Sequence, residues 1–275
     1  MMCELNGISI YYEIHGEGAP IVMIHGFEVD HRVMKGCMEP IFDQRKGYKR
    51  IYFDLPGMGK TPKKSWIKSS DDILEVVLDF IDKIIPNQKF IIASESYGCY
   101  LARGVIQKRF RNINGVLFIC PVIFAQPEIR ELPAHDIILE DPKLLSDLPN
   151  LEAASFKNLA VVQTKTIWER FNNEFFSGVK VAEKDFLEFI WENNYPFSFN
   201  GDQIDKKCFD KPALFLMGRQ DSMVGYRDAW KIIEHYPRAT FVVLDSAGHL
   251  LQIEQEKLFN DLVNEWLDRI EKSIN

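Results

Sequence analysis

Short apolar runs, each stopped by glycine, proline or small polar residues, set the rhythm of the first half of the chain. "APIVMIHGF", "YKRIYFDLPGMGKT", "KFIIAS" and "GVLFICP" are continuous rather than alternating, as strands covered on both faces must be. "GISIYYEIHGEG" mixes β-branched and aromatic residues and ends in a Gly-rich turn, which predicts an edge strand. Helical spacing separates the later runs. In "SSDDILEVVLDFIDKII" the residues Ile73, Val76, Val77, Phe80, Ile81 and Ile84 fall on one face, and Ser70 with Asp71 and Asp72 suits its N-terminus. "YGCYLARGVIQKRF" predicts a helix with a basic last turn. Strands alternating with helices imply βαβ units, and hence an α/β fold: a mostly parallel sheet with helices on both faces.

The alternation lapses over residues 122–206. Two helical stretches stand out there, "NLAVVQTKTIWERFNNEFF" and "EKDFLEFIWENN". The segment is also dense in aromatics: Phe124, Phe156, Trp168, Phe171, Phe175, Phe176, Phe186, Phe189, Trp191, Tyr195, Phe197 and Phe199. Most of these are expected to form the segment's own core and a few to line a site. The rhythm then resumes with a strand in "KPALFLMGRQD", a helix in "YRDAWKIIEHY", a strand in "ATFVVLDSAGH" and a closing helix in "EQEKLFNDLVNEWLDRIEK". The expected organisation is one α/β domain built from residues 1–121 and 207–275, with a helical insertion at 122–206.

Composition narrows the partners. At 275 residues, 46% hydrophobic and 27% charged, the chain has ordinary globular composition. Its net charge of −7 disfavours nucleic acid and anionic membrane surfaces. The five cysteines are scattered without a C-x-x-C spacing, so neither a zinc site nor a disulfide framework is suggested and reduced thiols in the cytoplasm are expected. No basic-then-apolar leader opens the sequence, and no apolar run approaches the roughly 18 residues a membrane helix needs. A small-molecule substrate is the expected partner. Nothing in the pattern indicates an oligomeric state.

Ligands of parallel sheets bind beyond the carboxyl ends of the strands, so the loops "HGFE", "SESYG", "GRQDS" and "SAGH" matter most. Ser96 stands in the break between a strand and a helix, with small residues Ser94 and Gly98 two positions to either side. A serine hydroxyl needs an adjacent base; His249, in the loop after the last strand, is the candidate. Asp221, after the strand at 213–217, is the candidate for orienting that imidazole, with Asp245 as a rival and Glu128 the first acid after the strand ending at Cys120. The expected roles are attack by Ser96, proton transfer by His249 and tautomer control by Asp221. Backbone N–H groups of Phe27 and Tyr97 would form an oxyanion hole. His25 is expected to brace loops, and Glu28 to face solvent.

The Ser…Asp…His order across separate strand ends is that of the α/β-hydrolase triad, and the chain resembles the α/β-hydrolase superfamily over nearly its whole length. It is most similar to the small cytosolic branch with a helical cap. "YYEIHGEGAPIVMIHGF" resembles the opening strands of that branch, "DLPGMGKT" its D-x-P-G-x-G-x-S loop, and "AGHLLQIEQEKLFNDLVNEWL" its histidine loop and closing helix. The resemblance carries over Ser96, Asp221 and His249 as triad, and Phe27 and Tyr97 as oxyanion donors. It also implies that residues 122–206 are the cap and that no cofactor or metal is needed. Ser94 and Cys99 depart from the usual glycines, and Met58 replaces the common His, Arg or Tyr. Serine at position 94 also occurs in the branch that cleaves carbon–carbon bonds, although that branch usually reads G-N-S-M-G-G. A haloalkane dehalogenase would carry aspartate at position 96. The expected activity is a carboxylesterase acting on small to medium apolar acyl esters. The alternatives are hydrolysis of a β-diketone C–C bond, a lactone or an amide, and a non-catalytic ligand receptor on the same fold.

Overall fold

The computed structural model describes residues 1–199 and 207–274. The first part of the chain forms β1 (Met2–Leu5), β2 (Ile8–His15), β3 (Ala19–Ile24), α1 (His31–Phe42), β4 (Tyr48–Phe53), α2 (Ser70–Ile84), β5 (Phe90–Glu95), α3 (Tyr97–Arg109) and β6 (Ile113–Ile119). Short elements follow: β7 (Leu139–Glu140), α4 (Pro142–Asp147), α5 (Asn150–Leu159), β8 (Val162–Gln163), α6 (Lys165–Arg170), α7 (Ser177–Val179) and α8 (Lys184–Asn193). The last part supplies β9 (Ala213–Gly218), α9 (Tyr226–Trp230), β10 (Ala239–Leu244), α10 (Leu251–Glu254) and α11 (Glu256–Ile274).

Eight strands form one sheet in the order β1-β2-β4-β3-β5-β6-β9-β10. Only the β1–β2 and β2–β4 pairs are antiparallel; all the others run parallel. The continuous apolar runs are the central strands, and every residue of β5 and β9 is buried. β2 is not the edge strand expected of it. β1 pairs outside it, and β1 buries only Cys3, so it left no apolar pattern to find.

The hydrophobic pattern does not predict α1 either. Gly36 and Pro40 interrupt its helix propensity, yet Val33, Met34, Cys37, Met38, Ile41 and Phe42 are all buried and Asp30 caps its N-terminus. Ser69, rather than Ser70, caps α2 by accepting from the Asp72 N–H. α8 matches "EKDFLEFIWENN", but the expected helix beginning at Asn158 is broken. α5 ends at Leu159, the β-branched stretch after it pairs as β8 with β7, and a new helix starts at Lys165 and widens into a π-type turn over Phe171–Phe176.

The main core fills both faces of the sheet. A second apolar cluster joins Phe156, Phe171, Phe175 and Phe176 to Val29 and Val33 near α1, and to Leu250 and Ile253 beside α10. The segment after β6 is thus packed onto the loops at the carboxyl ends of the strands. Its expected boundary at residue 206 lies outside the described residues. Among the described residues, no helix is long and apolar enough to cross a membrane.

Candidate active site

Ser96 is the single residue between β5 and α3, and its backbone has φ 51° and ψ −117°. That left-handed region costs a non-glycine residue about 1–3 kcal/mol, so the surroundings must hold it. They do so with three backbone bonds. The Ser96 N–H donates to Ile119 O at 2.9 Å, and Ser96 O accepts from Cys99 N at 3.0 Å and Val122 N at 3.2 Å. The start of α3 presses on the end of β3: a Cβ on Gly98 would lie 2.2 Å from Ile24 O. Position 94 tolerates serine because its hydroxyl donates to Leu117 O at 3.1 Å, away from that contact.

The structure brings Ser96, His249 and Asp221 together from three strand ends. Ser96 Oγ donates to His249 Nε2 at 3.0 Å, and His249 Nδ1–H donates to Asp221 Oδ2 at 2.8 Å. The second carboxylate oxygen of Asp221 accepts from the N–H groups of Met223 (2.8 Å) and Val224 (3.1 Å). That fixes the carboxylate and, through it, the imidazole tautomer. Burial alone would lower the His249 pKa, but Asp221 and Glu95 more than offset it and raise it to about 9. The rival Asp245 is exposed and accepts from Gln220 Nε2 at 2.8 Å. Glu128 lies on an exposed turn.

His25 is fully buried and braces two loops: its Nε2 accepts from Leu55 N at 2.9 Å, and Nδ1–H donates to Gly26 O at 2.8 Å. Burial lowers its pKa. Phe27 and Tyr97 flank Ser96, their rings in edge contact at 5.1 Å. Tyr97 is anchored by its hydroxyl, which donates to Ser70 Oγ at 2.8 Å. A cavity of about 550 Å³ opens above Ser96 and His249, within the size range of small-molecule sites. Glu28 is exposed at its rim. Of the twelve aromatics in the segment after β6, Phe175, Trp191 and Tyr195 line the cavity, while Phe156, Trp168, Phe171 and Phe176 pack among themselves.

Three further residues here carry no distinctive motif in the sequence. Glu95, inside "SESYG", is buried, with Oε1 3.5 Å from His249 Nε2. Its signal was an acid at the end of an otherwise apolar strand. Glu254 accepts from Gly248 N at 2.6 Å through one oxygen, and from Val161 N (2.7 Å) and Val162 N (3.1 Å) through the other. It pins the His249 loop to β8. Arg130 donates to Phe124 O, Ala125 O and Met223 O at 2.9–3.1 Å, clamping the chain just after β6 to the Asp221 loop. Among the described residues, two side-chain groups have donor atoms close enough to share a metal ion, Cys120–Asp221–His249 and Asp30–His31–Asp54. In the second, His31 Nδ1 is bonded to Asp54 at 2.7 Å, Lys60 N donates to the other Asp54 oxygen and Arg32 pairs with Asp30, so these groups already satisfy one another.

Residues 19–256 match the model of the alpha/beta hydrolase fold family. The chain is 23% identical over 266 residues to the pimeloyl-[acyl-carrier protein] methyl ester esterase of Legionella pneumophila (strain Paris), covering 94% of this chain and all of that protein. It is 21% identical to a 2-hydroxy-6-oxo-6-(2'-aminophenyl)hexa-2,4-dienoic acid hydrolase of Metapseudomonas resinovorans, covering 96% of this chain and 89% of that one. Among solved structures it is similar to an alpha/beta superfamily hydrolase from Oenococcus oeni PSU-1, at 31% identity and a TM-score of 0.87 over 95% of this chain and 96% of that one.

Proposed function

The chain belongs to the alpha/beta hydrolase fold family and is a hydrolase, and from that premise we propose that it is a carboxylesterase working through Ser96, His249 and Asp221. The observation that carries this reading is the continuous relay from Ser96 Oγ through His249 to Asp221, with links of 3.0 and 2.8 Å. Ser96 attacks the ester carbonyl while His249 Nε2 takes its proton. Asp221 stabilises the imidazolium, and the N–H groups of Phe27 and Tyr97 hold the oxyanion. His249 then protonates the departing alkoxide. Water, deprotonated by the same nitrogen, hydrolyses the acyl-enzyme, and the acid leaves.

The helical segment at 122–206 acts as a cap. It supplies Phe175, Trp191 and Tyr195 to a mostly apolar cavity of about 550 Å³, which suits a small to medium acyl group. The Legionella relative acts on a methyl ester, the same bond class. A second reading, hydrolysis of a carbon–carbon bond, draws on Ser94 and on the Metapseudomonas relative. A cytoplasmic location belongs to the proposal: all five cysteines are free thiols, as in a reducing compartment.

A fluorophosphonate probe is expected to label Ser96 in the wild type and not in Ser96→Ala. A folded wild type that stays unlabelled would sink the serine-hydrolase reading. A panel of p-nitrophenyl esters against a β-diketone then separates the two bond classes by kcat/KM.

A further inference from the structure

His249 Nε2 has two neighbours, not one. Ser96 Oγ lies at 3.0 Å and Glu95 Oε1 at 3.5 Å. Glu95 is 1% exposed, and its Oε2 makes no well-formed hydrogen bond among the described residues; the Gly26 backbone beside it favours the anion, but less than burial opposes it. That oxygen rests against the oxyanion turn, since a Cβ on Gly26 would come within 2.3 Å of it. A buried carboxylate with an unmatched oxygen is costly, and a protonated carboxyl is much less so.

The charged and titratable groups facing Glu95 come from every element around it. His249, beyond β10, attracts its charge, and Asp221, beyond β9, repels it. The thiols of Cys37 on α1, Cys99 on α3 and Cys120 after β6 are each held neutral by burial and pushed further up by Glu95. The buried Tyr195 phenol responds the same way. Arg130 acts from the inserted segment on His249 and Tyr195.

We propose that Glu95 is a positioning residue that shares one proton with His249 and leaves the imidazole free to serve Ser96 only while its own carboxyl is protonated. The inference rests on the serine-hydrolase reading above. The exchange balances without any other reactant: Glu95–COOH with neutral His249 interconverts with Glu95–COO⁻ and His249–H⁺. In the first form the Nε2 lone pair accepts from Ser96. In the second that lone pair is occupied, the proton lies between imidazolium and carboxylate, and Ser96 has no base. An ionised Glu95 also sets a negative charge beside the turn that leads to the Phe27 N–H, where an oxyanion must form. Burial pushes Glu95 up to about 7, and His249 stands at about 9, so between these values the pair holds one proton, mostly on His249, and the active form is the minor partner of the exchange.

The test compares the wild type with Glu95→Gln, which keeps the shape and cannot ionise. kcat/KM for p-nitrophenyl butyrate is measured from pH 5 to 10.5, with fluorophosphonate labelling of Ser96 and ¹⁵N-histidine NMR titration of His249 on the same samples. The wild type should be bell-shaped, with limbs near 7 and 9, and should fall about tenfold per pH unit beyond the upper limb. Glu95→Gln should lose that fall, exceed the wild type severalfold at pH 8–9, and show one His249 inflection where the wild type shows two. Superimposable pH profiles, or a single unshifted His249 inflection in both proteins, would overturn the proposal. If neither protein is labelled at any pH, the serine-hydrolase reading fails by itself, and NMR still decides whether Glu95 and His249 share a proton. If Glu95→Gln does not fold, the wild-type titration decides alone: two inflections support the sharing and one refutes it.

Discussion

At the scale of single residues, Asp221 shows how position turns an ordinary carboxylate into a tautomer lock. One oxygen is committed to the Met223 and Val224 N–H groups and the other to His249 Nδ1–H. In Asp221→Asn the amide oxygen would stay with the two backbone donors, which turns the NH₂ toward Nδ1. The imidazole would then carry its proton on Nε2 and offer no lone pair to Ser96. kcat should fall on the order of 10³–10⁴-fold with KM little changed; a loss below tenfold would argue against the proposed relay. Gly98 makes the complementary case from sterics. Its missing Cβ clears Ile24 O, which would otherwise be 2.2 Å away. Gly98→Ala should therefore cost stability, lowering Tm by several degrees, whereas Ser94→Gly should leave labelling of Ser96 intact, because the Ser94 hydroxyl bonds Leu117 O and Cys99 Sγ and neither Ser96 nor His249.

Secondary elements explain what could be read from the chain and what could not. β3, β5, β6 and β9 announced themselves because a central parallel strand must be apolar on both sides. The strand-end rule then pointed to the loops that hold Ser96, Asp221 and His249. α1 stayed hidden because Gly36 and Pro40 depress its propensity and only tertiary burial of Val33 through Phe42 supports it. β8 stayed hidden because its partner β7 is equally short. Glu254 could not be found by spacing at all. Its partners Val161 and Val162 are more than 90 positions away, joined to it only once the segment after β6 folds over α10. That bond set makes a prediction at the same scale. Glu254→Ala would free both the His249 loop and β8. We expect kcat to drop about tenfold, more than KM rises, and amide exchange to speed up at Gly248 and Val161 together. Unchanged exchange at either site would mean that the pin does not couple them.

For the whole molecule, the buried acids and His249 decide how stability depends on pH. Burial raises the folded-state pKa of Glu95 and of Glu254 from 4.5 to about 7, and it also raises that of Glu174. A raised carboxyl favours the protonated folded form, so its stabilisation is complete below the unfolded value of 4.5 and is lost as pH climbs to 7. His249 has the same sign over a higher window. Its pKa rises from 6.5 to about 9, so the stability it contributes below 6.5 disappears by pH 9. His25 opposes them, because burial lowers its pKa and folding gains as pH rises through 6.5. Glu13, Glu39 and Asp30 are lowered despite burial, through Lys35, Arg50 and Arg32 respectively, and they lose their contribution only in acid. The raised groups outnumber His25 above pH 5, and by linkage each raised carboxyl forfeits roughly 3 kcal/mol across its window. Urea unfolding at pH 5, 7 and 8.5 should therefore show stability decreasing through the series, and Glu95→Gln should reduce the pH 5 to pH 8.5 loss by roughly that amount. Stability that stayed level or rose from pH 5 to 8.5 would argue that folding does not raise the Glu95 and Glu254 carboxyls, and with that the protonated Glu95 beside His249 would lose its support.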